Sequence, residues 1–252
     1  MTTTDLWVVI PAFDEENWIG GVLDGLAAQD DPYFRVVVVD NASTDRTADL
    51  VRAFIRTHPS MSIGIVTEPV KGTGAAADTG MRYAIAHGAT HLARTDADCI
   101  PESDWIRSIR RAFAAGVGLV AGQMLARDDE EVPRASAVFM LGLVEVAAWF
   151  GKLRPGNRGP QYLGPYMMTP GCNMAITAEL YTRSGGFPRT KIEEVHEDRA
   201  LVNAVRTLSI DYATRRDVRV HVSVRRARAW GVVRTLGWYA DHRYRPDRVD
   251  IR

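Results

Sequence analysis

The chain has 252 residues, of which 46% are hydrophobic and 25% charged, and its formal net charge is zero. That composition can bury a sizeable core, which excludes disordered and fibrous classes and suits one α/β domain over residues 1–252 better than two small ones. Balanced charge excludes a global field that would recruit nucleic acid or an anionic membrane, so any charged partner must be met locally.

In chain order, residues 1–5 are short and polar and run directly into a strand pattern, so no secretion signal is expected. Strands are predicted at 6–10, 35–40, 62–67 and 90–95, alternating with helices over about 16–28, 45–57 and 74–87. A fourth helix over 103–115 and a strand over 117–124 follow. Ser43 and Thr44 are read as the cap of the second helix, and Ser103 as that of the fourth. This alternation predicts a parallel sheet with crossover helices, and it makes 1–124 one half of the domain and 125–252 the other.

Beyond 124 the rhythm stops. A long helix is expected over 133–151, including the most apolar stretch, 138–150, which is too short to span a bilayer and carries Glu145. Membrane contact is therefore expected to be peripheral at most. A Pro- and Gly-rich loop follows from Pro155 to Pro170-Gly171, long enough to suggest a functional segment. A short strand after Cys172, a helix near 197–208, strands near 210–223 and a last helix near 230–243 complete the chain. Cys99 and Cys172 show no C-x-x-C spacing and are too few for a disulfide framework, which fits a reducing, cytoplasmic setting.

Ligands of open α/β sheets bind at the carboxyl ends of the strands, so the residues after each strand carry the functional signal. Asp96-Ala97-Asp98 follows the fourth strand, where two carboxylates one residue apart can converge on a hard divalent cation such as Mg²⁺ or Mn²⁺. The alternative is a solvated turn with Asp96 capping the next helix. Asp40 ends a Val-rich buried strand and could meet a base or ribose, or could simply make a turn with Asn41 and Ser43. Lys71-Gly72-Thr73-Gly74 opens a helix whose N–H groups could face a phosphate, or is a tight turn. The first strand is followed by Pro11-Ala12-Phe13 rather than by the glycines of a dinucleotide fingerprint, which argues against NAD.

On the second half, Asp198 opens a helix and is a candidate general base, or an acid complementing the helix dipole. His221, in a strand-like run, could complete a metal site begun by carboxylates, or be structural. Arg225, Arg226 and Arg228 could neutralise a leaving diphosphate or a phosphorylated acceptor, or form a solvated basic face.

Taken together, these residues resemble the family 2 glycosyltransferases of the GT-A fold. Pro11-Ala12-Phe13-Asp14-Glu15-Glu16 matches the family's first-strand turn, with Asp14 where relatives have Asn. Val39-Asp40-Asn41-Ala42-Ser43-Thr44-Asp45 matches its second element. The Lys-Gly-x-Gly segment at Lys71, the Asp-x-Asp at Asp96, Gly171-Cys172-Asn173-Met174-Ala175-Ile176, Gly185-Gly186-Phe187 and Glu197-Asp198 follow in family order. The resemblance implies a mostly parallel Rossmann-like sheet in a three-layer α/β/α arrangement. It also implies inverting, metal-assisted transfer from a nucleoside diphosphate sugar to an acceptor hydroxyl, with a UDP-sugar favoured and a GDP-sugar admitted.

By that resemblance, Phe13 stacks on the base, Asp40 bonds it, Asp96 touches the ribose, Asp98 binds the metal and Asp198 is the base. Pro11, Glu15 and Lys71 join the donor-nucleotide side, and Gly171, Asn173 and Glu197 the acceptor and donor-sugar side. Two departures stand out: Arg94 occupies a position that is apolar in relatives, so this strand is expected to face a polar neighbour, and the Gln-x-x-Arg-Trp element of processive synthases is missing. Polymer synthesis is therefore not expected; a homodimer is allowed but unspecified. Two other readings stay open, a sugar-nucleotide nucleotidyltransferase and a non-catalytic sugar- or partner-binding protein that uses 138–150 as its surface.

Overall fold

The computed structural model describes residues 5–127, 154–189 and 197–223, together with Gly142, Gly151 and Arg225. The helices expected over 133–151 and 230–243 lie outside the described residues, Gly142 and Gly151 apart, as do Arg226 and Arg228. Strands β1 (Leu6–Ala12), β2 (Arg35–Asp40), β3 (Ser62–Thr67) and β4 (His91–Thr95) alternate with helices α1 (Ile19–Ala27), α2 (Thr47–Thr57) and α3 (Thr73–Ala86). Then come β5 (Cys99–Pro101), α4 (Trp105–Ala114), β6 (Leu119–Ala126), β7 (Asn173–Thr177), α5 (Ala178–Arg183), α6 (Glu197–Arg206) and β8 (Tyr212–Val222).

The eight strands form one sheet in the order β3-β2-β1-β4-β7-β6-β8-β5. β3, β2, β1 and β4 are mutually parallel, so their carboxyl ends share one edge. Strand residues alternate between faces. Leu6, Val8 and Ile10 pack with Ile19, Val22, Leu23 and Leu26 of α1 and with Trp105, Ile106, Ile109 and Ala112 of α4. Trp7 and Val9 pack on the opposite face with Ala77, Met81 and Ala84 of α3 and Leu201, Val202 and Val205 of α6. The result is the expected three-layer α/β/α arrangement. Helix α4 shows why it forms: its buried residues fall at the spacing of one helical face while Arg107 stays exposed.

One feature was not legible in the sequence. Only residues 96–98 separate β4 from β5, yet β7, β6 and β8 lie between those strands in the sheet. Four flat strand spacings span about 19 Å, whereas the four Cα steps from Thr95 to Cys99 reach at most about 14 Å. The sheet must therefore curl until its far edge returns to the end of β4, and Asp96-Ala97-Asp98 is the seam.

Several expectations are corrected. The two strands near 210–223 are one, β8, and neither the three-residue β5 nor α5 was foreseen. Ser43 and Thr44 make no cap for α2; the Asp45 carboxylate accepts the Thr47 N–H instead, at 2.9 Å. Ser103 does not cap α4 either: Asp104 holds the N-cap position with no side-chain cap bond, and the Ser103 carbonyl accepts from the Asp30 N–H. Among the described residues no helix is long and apolar enough to cross a membrane.

Asn173, at the start of β7, ties the second half together. Fully buried, it donates to the carbonyls of Gln123 and Val218, each at 2.9 Å, and accepts from the Trp105 indole N–H at 2.9 Å. These bonds join β7 to β6, β8 and α4 in one side chain. Asn173→Ala strands three buried groups at about 1 kcal/mol or more each, so urea unfolding should show a loss of about 3 kcal/mol. A loss below about 1 kcal/mol would contradict this role.

Candidate active site

The loops after β1 and β2 hold each other by reciprocal hydrogen bonds. The N–H groups of Asp14, Glu15 and Glu16 donate to Ser43 Oγ (3.1 Å), Thr47 Oγ1 (2.8 Å) and Asp45 Oδ2 (2.9 Å). In return, the Thr44 and Arg46 N–H groups donate to the carboxylates of Asp14 (2.6 Å) and Glu16 (3.2 Å). Asp14 takes φ 53, a left-handed conformation that Asn and Asp tolerate better than most residues, which explains why Asp serves where Asn is expected. Pro11 costs the sheet nothing: Ala12 faces β2, through its carbonyl to the Asn41 N–H, so Pro11 faces β4, whose pairing with β1 has already ended at Val9.

Asp40 lies half-buried at the end of β2, where its Oδ1 accepts the Ser43 N–H at 3.2 Å, so the turn reading holds for one of its oxygens. Its neighbour Asn41 was not foreseen as a shaping residue. Buried, it donates to the carbonyls of Glu68 and Val70, both at 2.8 Å, and accepts from the Gly72 N–H at 2.9 Å. This bonding forms the loop that carries Lys71. The Lys71 ammonium lies 4.1 Å from the centroid of Phe13, so two residues expected on the donor side face each other. A side chain on Gly74, at the opening of α3, would collide with the Pro188 carbonyl and meet Glu197 at 3.2 Å, which brings α6 against this loop.

Acids gather at the seam. Buried Glu15 accepts both terminal nitrogens of Arg225, at 2.5 and 2.7 Å, and Arg225 also reaches Asp98 at 3.2 Å. Arg127 donates to the Asp98 carbonyl at 3.2 Å, and both arginines lie over the Trp18 ring, at 5.1 and 5.4 Å. Burial pushes the Glu15 carboxyl up to about 7; Arg225 opposes this, while Asp98 and Asp96 add to it. The return of β8 to β5 is what carries Arg225 to this place, since Val222 pairs with Cys99, the residue after Asp98. The same closure brings Cys99 against Cys172, whose hydrogen bond, ahead of burial, pushes the Cys99 thiol well up.

Mg²⁺ and Mn²⁺ need hard oxygen ligands, and Asp96 and Asp98 supply them at one strand end. Among the described residues no group of three or more metal-ligating side chains forms. That donor set fits a cation held by one or two carboxylates and completed by substrate phosphates and water, the usual condition of Mg²⁺ beside a diphosphate. His221, expected to complete the metal site, has its ring nitrogens 3.2 Å from the Ala126 carbonyl and 3.3 Å from the Glu102 carboxylate.

Of the residues expected on the acceptor side, Glu197 and Gly171 meet around Arg94. Glu197 lies 3.5 Å from the Arg94 guanidinium, and Asp98's neighbour Asp96 lies 3.2 Å from it on the other side. Arg94 thus has the polar neighbours that its position implied. Asp198 is half-buried, and its Oδ1 accepts the Arg199 N–H at 2.6 Å. Burial and the adjacent Glu197 push its carboxyl up to about 7, against the pull of Arg94 and Arg199. Tyr166, from the long loop, is close enough that the Asp198 charge adds to burial in pushing its phenol up to about 12. A cleft of about 450 Å³ opens beside α6, lined by Arg154, Asn157, Arg199 and Asn203. Gly171 packs against Arg94, but Asn173 is corrected: a fully buried amide with its partners in the core cannot touch a sugar.

Residues 7–181 match the sequence profile described as Glycosyl transferase family 2. The glycosyltransferase AglE of Haloferax volcanii is 32% identical over 120 residues, which make up 46% of this chain and 38% of that protein. Among solved structures, S. aureus TarS 1-349 in complex with UDP-GlcNAc superposes with a TM-score of 0.63 at 16% identity, covering 88% of this chain and 59% of TarS 1-349. The mannosyltransferase PcManGT of Pyrobaculum calidifontis, in complex with GDP-Man and Mn²⁺, gives a TM-score of 0.61 at 26% identity over 86% of this chain and 56% of its own. The chain therefore spans between about a third and three fifths of the length of these relatives.

Proposed function

Because this chain belongs to glycosyl transferase family 2, we propose that it moves a sugar from a nucleoside diphosphate sugar to an acceptor hydroxyl, with inversion at the anomeric carbon. The observation that supports this reading is that Arg94 pairs with both Asp96 and Glu197, acids that stand beside Asp98 and Asp198 in the sequence, with the Asp198 carboxyl pushed up to about 7. The likeness to a mannosyltransferase solved with GDP-Man and Mn²⁺ supports a nucleotide sugar and a divalent metal. A UDP-sugar is the favoured donor class and a GDP-sugar the second.

Phe13, with Lys71 beside it, and Asp40 would hold the nucleotide at the ends of β1 and β2, making residues 1–124 the donor half. Asp98, with Asp96, would hold Mg²⁺ or Mn²⁺, which when bound supplies positive charge to the leaving diphosphate. The acceptor would lie toward Tyr166 and the cleft beside α6, in the half formed by 125–252. Asp198 would take the proton of the acceptor hydroxyl as its oxygen bonds to the anomeric carbon and the bond from that carbon to the diphosphate oxygen breaks. One displacement needs one base and no carboxylate nucleophile, which gives inversion.

A thermal-shift panel of nucleotides and sugar nucleotides, with and without Mn²⁺, is the first test, since ligand binding raises apparent stability. A metal-dependent shift for UDP or GDP is expected, and Asp98→Ala should abolish it; undiminished metal-dependent affinity in that variant would refute the metal assignment. Asp198→Asn should keep nucleotide affinity and lower kcat by about 10²- to 10⁴-fold. A non-catalytic binding protein would show no such loss. Because Asp198 must be ionised to accept a proton and its carboxyl is pushed up to about 7, kcat should fall about tenfold for each pH unit below roughly that value. Activity that stays flat through the neutral range would rule out Asp198 as the base.

A further inference from the structure

Arg94 lies at the end of β4 with its side chain 1% exposed, the second-largest fully buried side chain among the described residues. It shares a sheet face with Leu92, and the Phe187 ring lies 5.1 Å from its guanidinium, surroundings that an apolar side chain would fill without penalty. Burying a cation there opposes its charge, and the Asp96, Glu197 and Asp198 carboxylates outweigh that opposition. Even so, Nη1 has no hydrogen-bond partner within the described structure. A buried ion pair that leaves a nitrogen unsatisfied is a poor source of stability. Its contacts suggest a different use.

The guanidinium bonds Asp96 through Nε and Nη2 at 3.3 and 3.2 Å, and through Nη2 reaches Glu197 at 3.5 Å. Asp96 belongs to the seam and Glu197 to the first turn of α6, and 103 positions of sequence separate Arg94 from Glu197. The third side is closed by Gly171, where a Cβ would stand 3.2 Å from Cζ, Nη1 and Nη2. A planar fork seated between two carboxylates and a backbone with no side chain has little freedom to rotate.

We propose that Arg94 is a positioning residue that fixes the base-bearing end of α6 against the cation-binding seam, so that Asp198 and the donor stand at a set separation. The proposal rests on the transfer reading above and gives it a component that the acids alone lack: Asp96 and Glu197 repel each other unless a cation stands between them. Asp198 follows Glu197 in the same turn, so fixing one fixes the other. Lys keeps the charge but loses the fork, and Met keeps the bulk but loses the charge.

The test compares wild type with Arg94→Lys, Arg94→Met and Gly171→Ala by transfer kinetics, Mn²⁺-dependent nucleotide binding and thermal melting, with rates corrected for folded fraction. Misplacement of a base by about 1 Å costs about 100-fold in rate. Arg94→Met should therefore lose about 100-fold in kcat with a smaller change in donor KM, and Arg94→Lys should recover part of that loss. Gly171→Ala, which leaves every charge in place and crowds the guanidinium, should lower kcat by about tenfold with little change in melting temperature, and it keeps the test alive if Arg94→Met fails to fold. Wild-type kcat in Gly171→Ala and Arg94→Lys, or variants that lose melting temperature alone, would overturn the proposal while leaving the transfer reading intact. A wild-type protein that neither binds nor consumes sugar nucleotides would overturn both.

Discussion

A short link between two distant strands governs this molecule. Because residues 96–98 must connect β4 to β5 while three other strands stand between them in the sheet, the sheet has to curl, and its far edge must return to the end of β4 at those residues. Everything that gathers at the seam follows from that. β8 returns alongside β5 and brings Arg225 to Glu15 and Asp98, and Cys99 meets Cys172. An uncurled sheet with the same strands would leave Asp98 at an edge with solvent for company.

The first half of the fold was legible because its signals are local. Val36 to Val39 read as a buried parallel strand from composition alone, and α2 and α3 fall within a residue or two of the expected bounds. The closure of the sheet was not, because it owes its form to partners remote in sequence. β5 is three residues long and pairs with β8 more than a hundred residues later, a relation that no periodicity records. Ser43 and Thr44 carry cap chemistry by type, yet the loop after β1 lies nearer to hand, and Ser43 and Thr44 bond Asp14 instead of opening α2.

That exchange also changes what the most specific motif means. Val39 to Asp45 resembles a binding signature, but Ser43, Asp45 and Thr47 hold three successive N–H groups of the preceding loop, and Asn41 shapes the Lys71 loop. Much of the motif is scaffold for the few residues left to meet a ligand. Asn173 makes the same point more sharply, since a polar residue in a motif is as readily a buried clasp as a contact, and only burial separates the two. His221 has a type that suits a metal, and its register on β8 sets it opposite Ile100 and beside Glu102. Asp96, Asp98 and Asp198 were legible as acids at a strand end and a helix start, and Arg94 as a residue with polar neighbours; which acids Arg94 and Arg225 would meet was not.

Under the proposed reading, the charges at the seam would favour a ligand that brings its cation with it. Among the described residues, Arg94 pairs with Asp96 and Glu197, Arg225 with Glu15 and Asp98, and Arg127 meets the Asp98 carbonyl. Two of the acids, Glu15 and Asp198, are pushed toward the neutral range, by burial first and by neighbouring carboxylates second. A bare diphosphate would add to that repulsion. Under the proposed reading, a diphosphate accompanied by a divalent cation would offset it, with Asp98 and Asp96 the carboxylates that would hold the cation. Arg94, enclosed beneath Gly171 and paired with Asp96 and Glu197, would then be the fixed part of the frame beside that cation.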